Sequence, residues 1–329
     1  MNHTPKRNSS LPKPKQLHSI QEISPQDLLA SLNLVGVDTD LHAASFYLRS
    51  KQYFLDKAYT VPNAENPDYI PKIIEICKTE NVNVIFPCTD PELETLSASI
   101  NKITNSGIKI IISPSKTIKI CRDKWVTYER LSCHLPIAKS ALPETGIEEA
   151  LQSTGLPAII KPRRGWGSRQ IAKVESVEEA RILLMRIPAP IIQTYLTGAE
   201  YTIDCLADRN GKIMCIFPRH RVKIFGGLSF QGVTVRDKEL IELGKKVAKH
   251  LKFIGPFNFQ VIKNDEETYI TEINPRFSGR GILSVMASAN IPYLALREIC
   301  NMRIPSQIDF EEGLFLSRYF EETYIKSKK

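Results

Sequence analysis

Apolar and polar positions along the chain fall into three patterns. Residues 1–24 show no apolar period and are rich in Pro and Ser, which predicts an unstructured tail. From Leu34 to about residue 115, short apolar runs alternate with helix-period stretches. Strands are predicted at Leu34–Val37, Val82–Phe86 and Ile108–Ile112, and a helix at Pro71–Thr79. Another helix starts at Thr89-Asp90-Pro91-Glu92, where Thr89 or Asp90 reads as a cap with no further role. Strand–helix alternation of this kind predicts a small parallel α/β unit.

Beyond residue 115 the order changes. A helix from Lys124 to about Cys133 precedes strands at Ala158–Lys161, Gln170–Val174 and Ile191–Gln193, with a helix at Val177–Met185. Then come strands Tyr201–Ala207 and Lys212–Phe217, a basic loop Pro218–Ser229, a helix Lys238–His250 and a hairpin Phe257–Ile273. Strands arriving in adjacent pairs predict antiparallel sheet with packed helices. The expected division is a basic tail over 1–24, an α/β unit over 25–115, a small lobe over 116–195, a second lobe over 196–310 and an extension over 311–329.

Charge changes this picture little. The net charge of +8 resembles a nucleic-acid signal until it is located. Lys6, Arg7, Lys13, Lys15, Lys326, Lys328 and Lys329 lie at the two ends and account for all but one of those charges. A basic groove is therefore not expected, nor is a specific nucleic-acid partner. No apolar run approaches the ~20 residues that span a bilayer, so no membrane association is expected. Seven cysteines show no Cys-x-x-Cys spacing, which suits reduced thiols in the cytoplasm. The first glycine is Gly36, so no glycine-rich dinucleotide turn precedes Asp38 and NAD is excluded.

Three stretches carry candidate chemistry. In Phe257-Asn-Phe-Gln-Val-Ile262 the amides Asn258 and Gln260 share one face, and Gln260 falls opposite Glu272 or one place away. Gln260, Glu272 and Asn274 would then form an oxygen cluster suited to Mg²⁺, which takes few protein ligands. Pro275-Arg276 follows directly, and Arg suits phosphate or carboxylate contact. The bland alternative is a solvated edge hairpin. A buried strand delivers Lys161 to a loop holding Gly165, Gly167 and Ser168, whose backbone N–H groups could approach phosphate. The segment Gln193-Thr194-Tyr195-Leu196 leads to Gly198-x-Glu200 and could offer backbone groups to an adenine edge. In the basic loop, Arg219, Arg221 and Lys223 alternate, so they share a face toward an anion or form a solvated edge.

The order of these motifs resembles the ATP-grasp enzymes, and within them the carbamoyl-phosphate-synthase type. The resemblance rests on Asp123-Lys124, Lys161-Pro162, Gly165/Gly167/Ser168, Gly198/Glu200, Asn258/Gln260 and Glu272–Arg276 in sequence. It spans roughly residues 34–300 and includes Phe86-Pro-Cys-Thr-Asp-Pro-Glu-Leu-Glu94. It implies a fold with a parallel α/β domain ahead of two lobes that clamp ATP. It also implies that Lys124 and Lys161 contact phosphates, that Gln193 to Leu196 form the adenine hinge, and that Glu200 binds ribose. Gln260, Glu272 and Asn274 would hold Mg²⁺ (or Mn²⁺) between the β- and γ-phosphates, and Arg276 would steady the γ-phosphate and an acyl phosphate. Lys161 and Arg276 are the expected catalytic pair.

The chain departs from the family at Gln170, where relatives usually carry Gly, in its Gln-Thr-Tyr-Leu hinge, and in lacking a glycine-rich first turn. The expected activity is an ATP-dependent ligase joining a small carboxylate to an amine or thiol. A small-molecule kinase and a non-catalytic ATP-binding module are the alternatives. A homodimer is compatible with this reading.

Overall fold

The computed structural model describes residues 32–47, 55–165, 167, 169–279, 281–305, 308–320 and 322–324. The tail expected over 1–24 and the terminal lysines lie outside them. The first unit holds two parallel strand pairs, β1 (Val35–Asp38) with β2 (Lys57–Thr60), and β3 (Val84–Ile85) with β4 (Lys109–Ile110). Between them run α1 (Tyr69–Thr79), α2 (Asp90–Ala98) and α3 (Ile100–Asn105). In α1 the helical period turns Ile70, Ile73, Ile74 and Cys77 inward against Leu93, Leu96, Ile103 and Ile118. A capping box opens α2, with Thr89 and Glu92 satisfying each other's backbone.

Two short helices follow, α4 (Ser115–Arg122) and α5 (Lys124–Leu131). Asp123 lies between them and caps α5, its Oδ1 accepting from the N–H groups of Trp125 (3.0 Å) and Val126 (3.3 Å). Then come β5 (Ser140–Ala141), α6 (Ile147–Thr154), β6 (Ala158–Pro162), β7 (Ala172–Val174), α7 (Val177–Leu184) and β8 (Pro190–Thr194). Their strands make an antiparallel sheet in the order β5-β8-β6-β7, with Ala158, Ile160, Val174 and Ile192 in its core.

The last part contains β9 (Ala199–Ala207), β10 (Ile213–Phe225), β11 (Leu228–Thr234), α8 (Lys238–His250), β12 (Gly255–Lys263), β13 (Thr268–Asn274), α9 (Ile282–Met286), α10 (Ile291–Ile299) and β14 (Phe315–Ser317). Its six-stranded sheet runs β13-β12-β9-β10-β11-β14. One face is apolar: Ile203, Cys205, Phe257, Phe259 and Val261 pack on Leu240, Leu243 and Val247 of α8. Burying each of those three aliphatic side chains contributes about 2 kcal/mol before conformational entropy is charged. The opposite face carries the polar residues described below.

The basic loop expected at Pro218–Ser229 is not a loop. Strand β10 continues to Phe225, and a two-residue turn at Gly226-Gly227, both at positive φ, leads straight into β11. The strand tolerates its buried cations because acids on neighbouring strands pair with them. Among the described residues, no helix is long and apolar enough to cross a membrane.

Candidate active site

The polar face is organised by the β12–β13 hairpin. Gln260 pairs directly with Glu272, and Asn258 with Asn274, so four oxygen-bearing side chains stand on one face. A bulge at Thr271 sets this up. Val261 pairs with Ile270, so one residue of β12 faces two of β13. Ile270 and Ile273 can then both enter the core while Glu272 and Asn274 turn away from it. Simple alternation would have put Ile270 beside Glu272.

Two lysines from the smaller sheet and its helices meet this face. Lys124 Nζ lies 3.8 Å from Glu272 Oε1 and donates to Gly165 O at 3.4 Å. Lys161 is buried, and its Nζ donates to Gln193 Oε1 at 2.7 Å. Burial and the charge of Lys124 push the Lys161 ammonium down to about 8, against the opposing pull of Glu272. A cavity of about 10 Å³, room for about one water, lies among Lys124, Thr127, Gln193 and Glu272. A larger one of about 320 Å³ sits between the first unit and α10; its Lys109 and Arg209 are already bonded to Ile299 O and Glu298.

The hinge is more committed than its sequence implied. The Gln193 side chain is engaged inside, accepting from Lys161 and donating to Ser140 Oγ at 3.1 Å, so it orients the lysine. Thr194 N–H donates to Lys139 O (2.9 Å) and Tyr195 N–H to Pro157 O (3.3 Å), which takes both away from a ligand. Leu196 follows them, half-buried, outside any strand. Gly198 has φ +148°, and a Cβ there would lie 2.5 Å from Lys263 O at the end of β12, so both the backbone and the space require glycine.

In the glycine loop, Gly165 and Gly167 are described, while Ser168 and Trp166 lie outside the described residues. Gln170 adopts φ +56°, the left-handed region. That is the physical reason a glycine suits this position better.

Glu200, Arg221 and Gln260 form one chain. Arg221 is buried, and its Nη1 donates to Glu200 Oε2 at 2.8 Å and Gln260 Oε1 at 3.3 Å. Arg219 is closed off instead. Its Nε donates to Asp204 Oδ2 at 2.7 Å and its Nη2 to Ser278 Oγ at 2.7 Å, and Ser284 also donates to Asp204. Lys223 is exposed, because a bulge between His220 and Lys223 breaks the alternation. The expected common face of Arg219, Arg221 and Lys223 is therefore corrected: one is spent internally, one braces the oxygen cluster, and one points to solvent.

Arg276 sits in a tight turn whose backbone folds back on Asn274 O and whose carbonyl accepts from Asn258 Nδ2. Its guanidinium donates to Phe277 O at 2.9 Å and to Asp90 Oδ2 at 2.5 Å. The reading of Asp90 as only a cap is thereby overturned. Asp90 also faces Arg122 at 3.7 Å, and the chain of charges continues through Glu94, Arg164, Asp123 and Arg163. Burial alone would raise the Asp123 carboxyl, but the Arg163 bonds and two backbone N–H groups outweigh it and hold the carboxyl below its ordinary range. These partners escape a sequence reading because Asp90 and Arg276 are 186 positions apart. The two acids of Asp90-x-x-x-Glu94, one helical turn apart, are the signal that could have pointed to them.

Two family models match the chain. One, described as the PylC-like N-terminal domain, covers residues 25–111, and the other, ATP-grasp in the biosynthetic pathway with Ter operon, covers residues 186–319. The second of these matches, together with the sheet order above, marks the fold as ATP-grasp. Neither description names carbamoyl phosphate synthase, so the expected likeness to that type finds no support in them.

Solved structures agree with this ATP-grasp fold. Biotin carboxylase from Campylobacter jejuni, solved as a β-γ-ATP complex, superposes with a TM-score of 0.66 at 17% identity, over 85% of this chain and 68% of that one. The biotin carboxylase domain dimer of Hydrogenobacter thermophilus 2-oxoglutarate carboxylase, solved with MgADP and bicarbonate, gives 0.68 at 17%, over 88% and 69%. N5-carboxyaminoimidazole synthetase from Staphylococcus aureus, solved with ADP, gives 0.66 at 16%, over 84% and 73%. At such identities the likeness establishes the shared fold.

Proposed function

We propose that this ATP-grasp protein is an ATP-dependent ligase that activates a small-molecule carboxylate as an acyl phosphate and joins it to an amine or thiol. One observation carries the reading: Gln260, Glu272 and Asn274 share a face that Lys124 and Lys161 approach from the opposing sheet and helix. Oxygen donors facing ammonium groups suit the terminal phosphates of a nucleotide and its counter-ion.

The donor set fits Mg²⁺. It offers one carboxylate and two amide oxygens on one sheet face, and Mg²⁺ typically completes so sparse a set with phosphate and water. Gln260, Glu272 and Asn274 would hold it, and it would supply neutralising charge to the phosphate oxygens. Lys124 and Lys161 add fixed positive charge, Arg221 braces Glu200 against Gln260, and Arg276, just after β13, would steady the γ-phosphate. With Thr194 and Tyr195 N–H committed, Leu196 N–H and nearby carbonyls are left to read adenine, and Glu200 the ribose.

A carboxylate oxygen attacks the γ-phosphorus, the bond to the β,γ-bridging oxygen breaks and ADP leaves. The amine or thiol then adds to the acyl carbon and inorganic phosphate departs. Positioning and charge neutralisation suffice for both steps, so no nucleophilic side chain is needed. The reported complexes with ADP, MgADP and bicarbonate in proteins of like fold support this reading. A reducing, cytoplasmic setting belongs to it and goes with seven free thiols. The Hydrogenobacter domain is a dimer, which makes a homodimer the state to look for.

The test is a screen of carboxylates with amines and thiols for ADP release, with product analysis. Amide or thioester with ADP and phosphate supports a ligase, whereas a phosphorylated product would make it a kinase. Glu272→Ala should abolish turnover, and wild-type rates in that variant would refute the metal assignment.

A further inference from the structure

The helix α2 is capped without Asp90. Thr89 and Glu92 satisfy the first backbone groups between them, so the Asp90 carboxylate is not needed for that task. It is nevertheless buried, with 7% of its side chain exposed, and it serves two guanidinium groups: Arg276 at 2.5 Å and Arg122 at 3.7 Å. We propose that Asp90 is a positioning residue that sets where Arg276 stands, making the first α/β unit a working part of the phosphoryl-transfer site. The inference rests on the nucleotide clamp described above.

Arg276 is held from two directions. One nitrogen is fixed on Phe277 O and the other on Asp90, while Phe86 of the first unit stacks on Phe277 at 5.6 Å and closes the same seam. Without the Asp90 charge, Arg276 would lose an anchor and also face Arg122 with less shielding between them. Glu94, one turn further along α2, does the same for Arg164 of the glycine loop at 3.5 Å. Helix α2 thus offers one acid to the arginine after β13 and another to an arginine of the glycine loop. An arginine displaced by a fraction of an ångström loses transition-state contact before it loses ground-state contact, because the charge it answers develops only during transfer.

The test uses the full chain with MgADP as one probe and MgADP plus aluminium fluoride, a mimic of the moving phosphoryl group, as the other. The wild-type chain is expected to bind MgADP more tightly when fluoride is added. In Asp90→Asn, MgADP affinity should stay within about twofold while the fluoride-dependent gain falls about tenfold. Arg276→Gln should lose a similar gain, and the double variant no more than either single change, because one residue acts through the other. If Asp90→Asn melts early, Asp90→Glu makes the same point by moving the charge one methylene, with about a threefold loss expected. An unchanged gain in these variants, or additive losses, overturns the inference while leaving the clamp intact. Failure of the wild-type chain to bind MgADP overturns both.

Discussion

Lys161 gives the most quantitative prediction. Its ammonium is buried on Gln193 and feels the charges of Lys124 and Glu272, and burial brings its pKa to about 8. Bound phosphate would return that group toward the ordinary lysine value near ~10.4, since an adjacent anion favours the charged form. The protonated form therefore binds Mg·ATP and the neutral form does so weakly. Affinity is full below pH 8 and falls as the free protein loses this proton. Between pH 7 and 9 the fall should be about tenfold, equivalent to about 1.4 kcal/mol. At pH 8 about half a proton should be taken up per nucleotide bound. Titration calorimetry in two buffers of different ionisation enthalpy reads both quantities. Lys161→Met should bind more weakly and lose the pH dependence above 7. Constant affinity from pH 7 to 9 with no proton uptake would refute the reasoning. The sign for folding is opposite. The unfolded chain binds more protons between the folded value near 8 and the ordinary one, so this group adds stability as pH rises through that window.

Two changes test the scaffold. Asp204→Asn should destabilise the chain by about 3–5 kcal/mol, because it leaves the Arg219 charge buried without its partner; urea denaturation measures this, and a loss under 1 kcal/mol would contradict it. Gly198→Ala should cost about 3 kcal/mol and disturb the end of the β9–β12 pairing, since the new Cβ meets Lys263 O in a backbone region disfavoured for alanine; an unchanged Tm would mean this end relaxes freely.

Much of the polar face was legible in the chain. The short polar turn between two strand-period runs brings Gln260 opposite Glu272 or one place away, and the bulge decides for Glu272. The helix Lys238–His250 follows from apolar residues at helical spacing with Asp237 before them, and its observed bounds coincide with the expected ones. The bulge at Thr271 was not legible, because local alternation says nothing of two isoleucines three apart being wanted in one core. The strand identity of residues 218–225 was missed for a related reason. Arg219 and Arg221 read as facing an anion or a solvated edge until Asp204 and Glu200 on the neighbouring strand are seen to neutralise them.

The chain by itself determined which residue types occur, their spacing along each strand and helix, and the order of motifs. All of these are set by contacts a few positions apart. Tertiary structure alone decided the partners: that Gln193 serves Lys161, that Arg219 is consumed by Asp204, and that Asp90 answers Arg276 from another unit. Charges find partners by distance in space, and only folding brings positions 90 and 276 together.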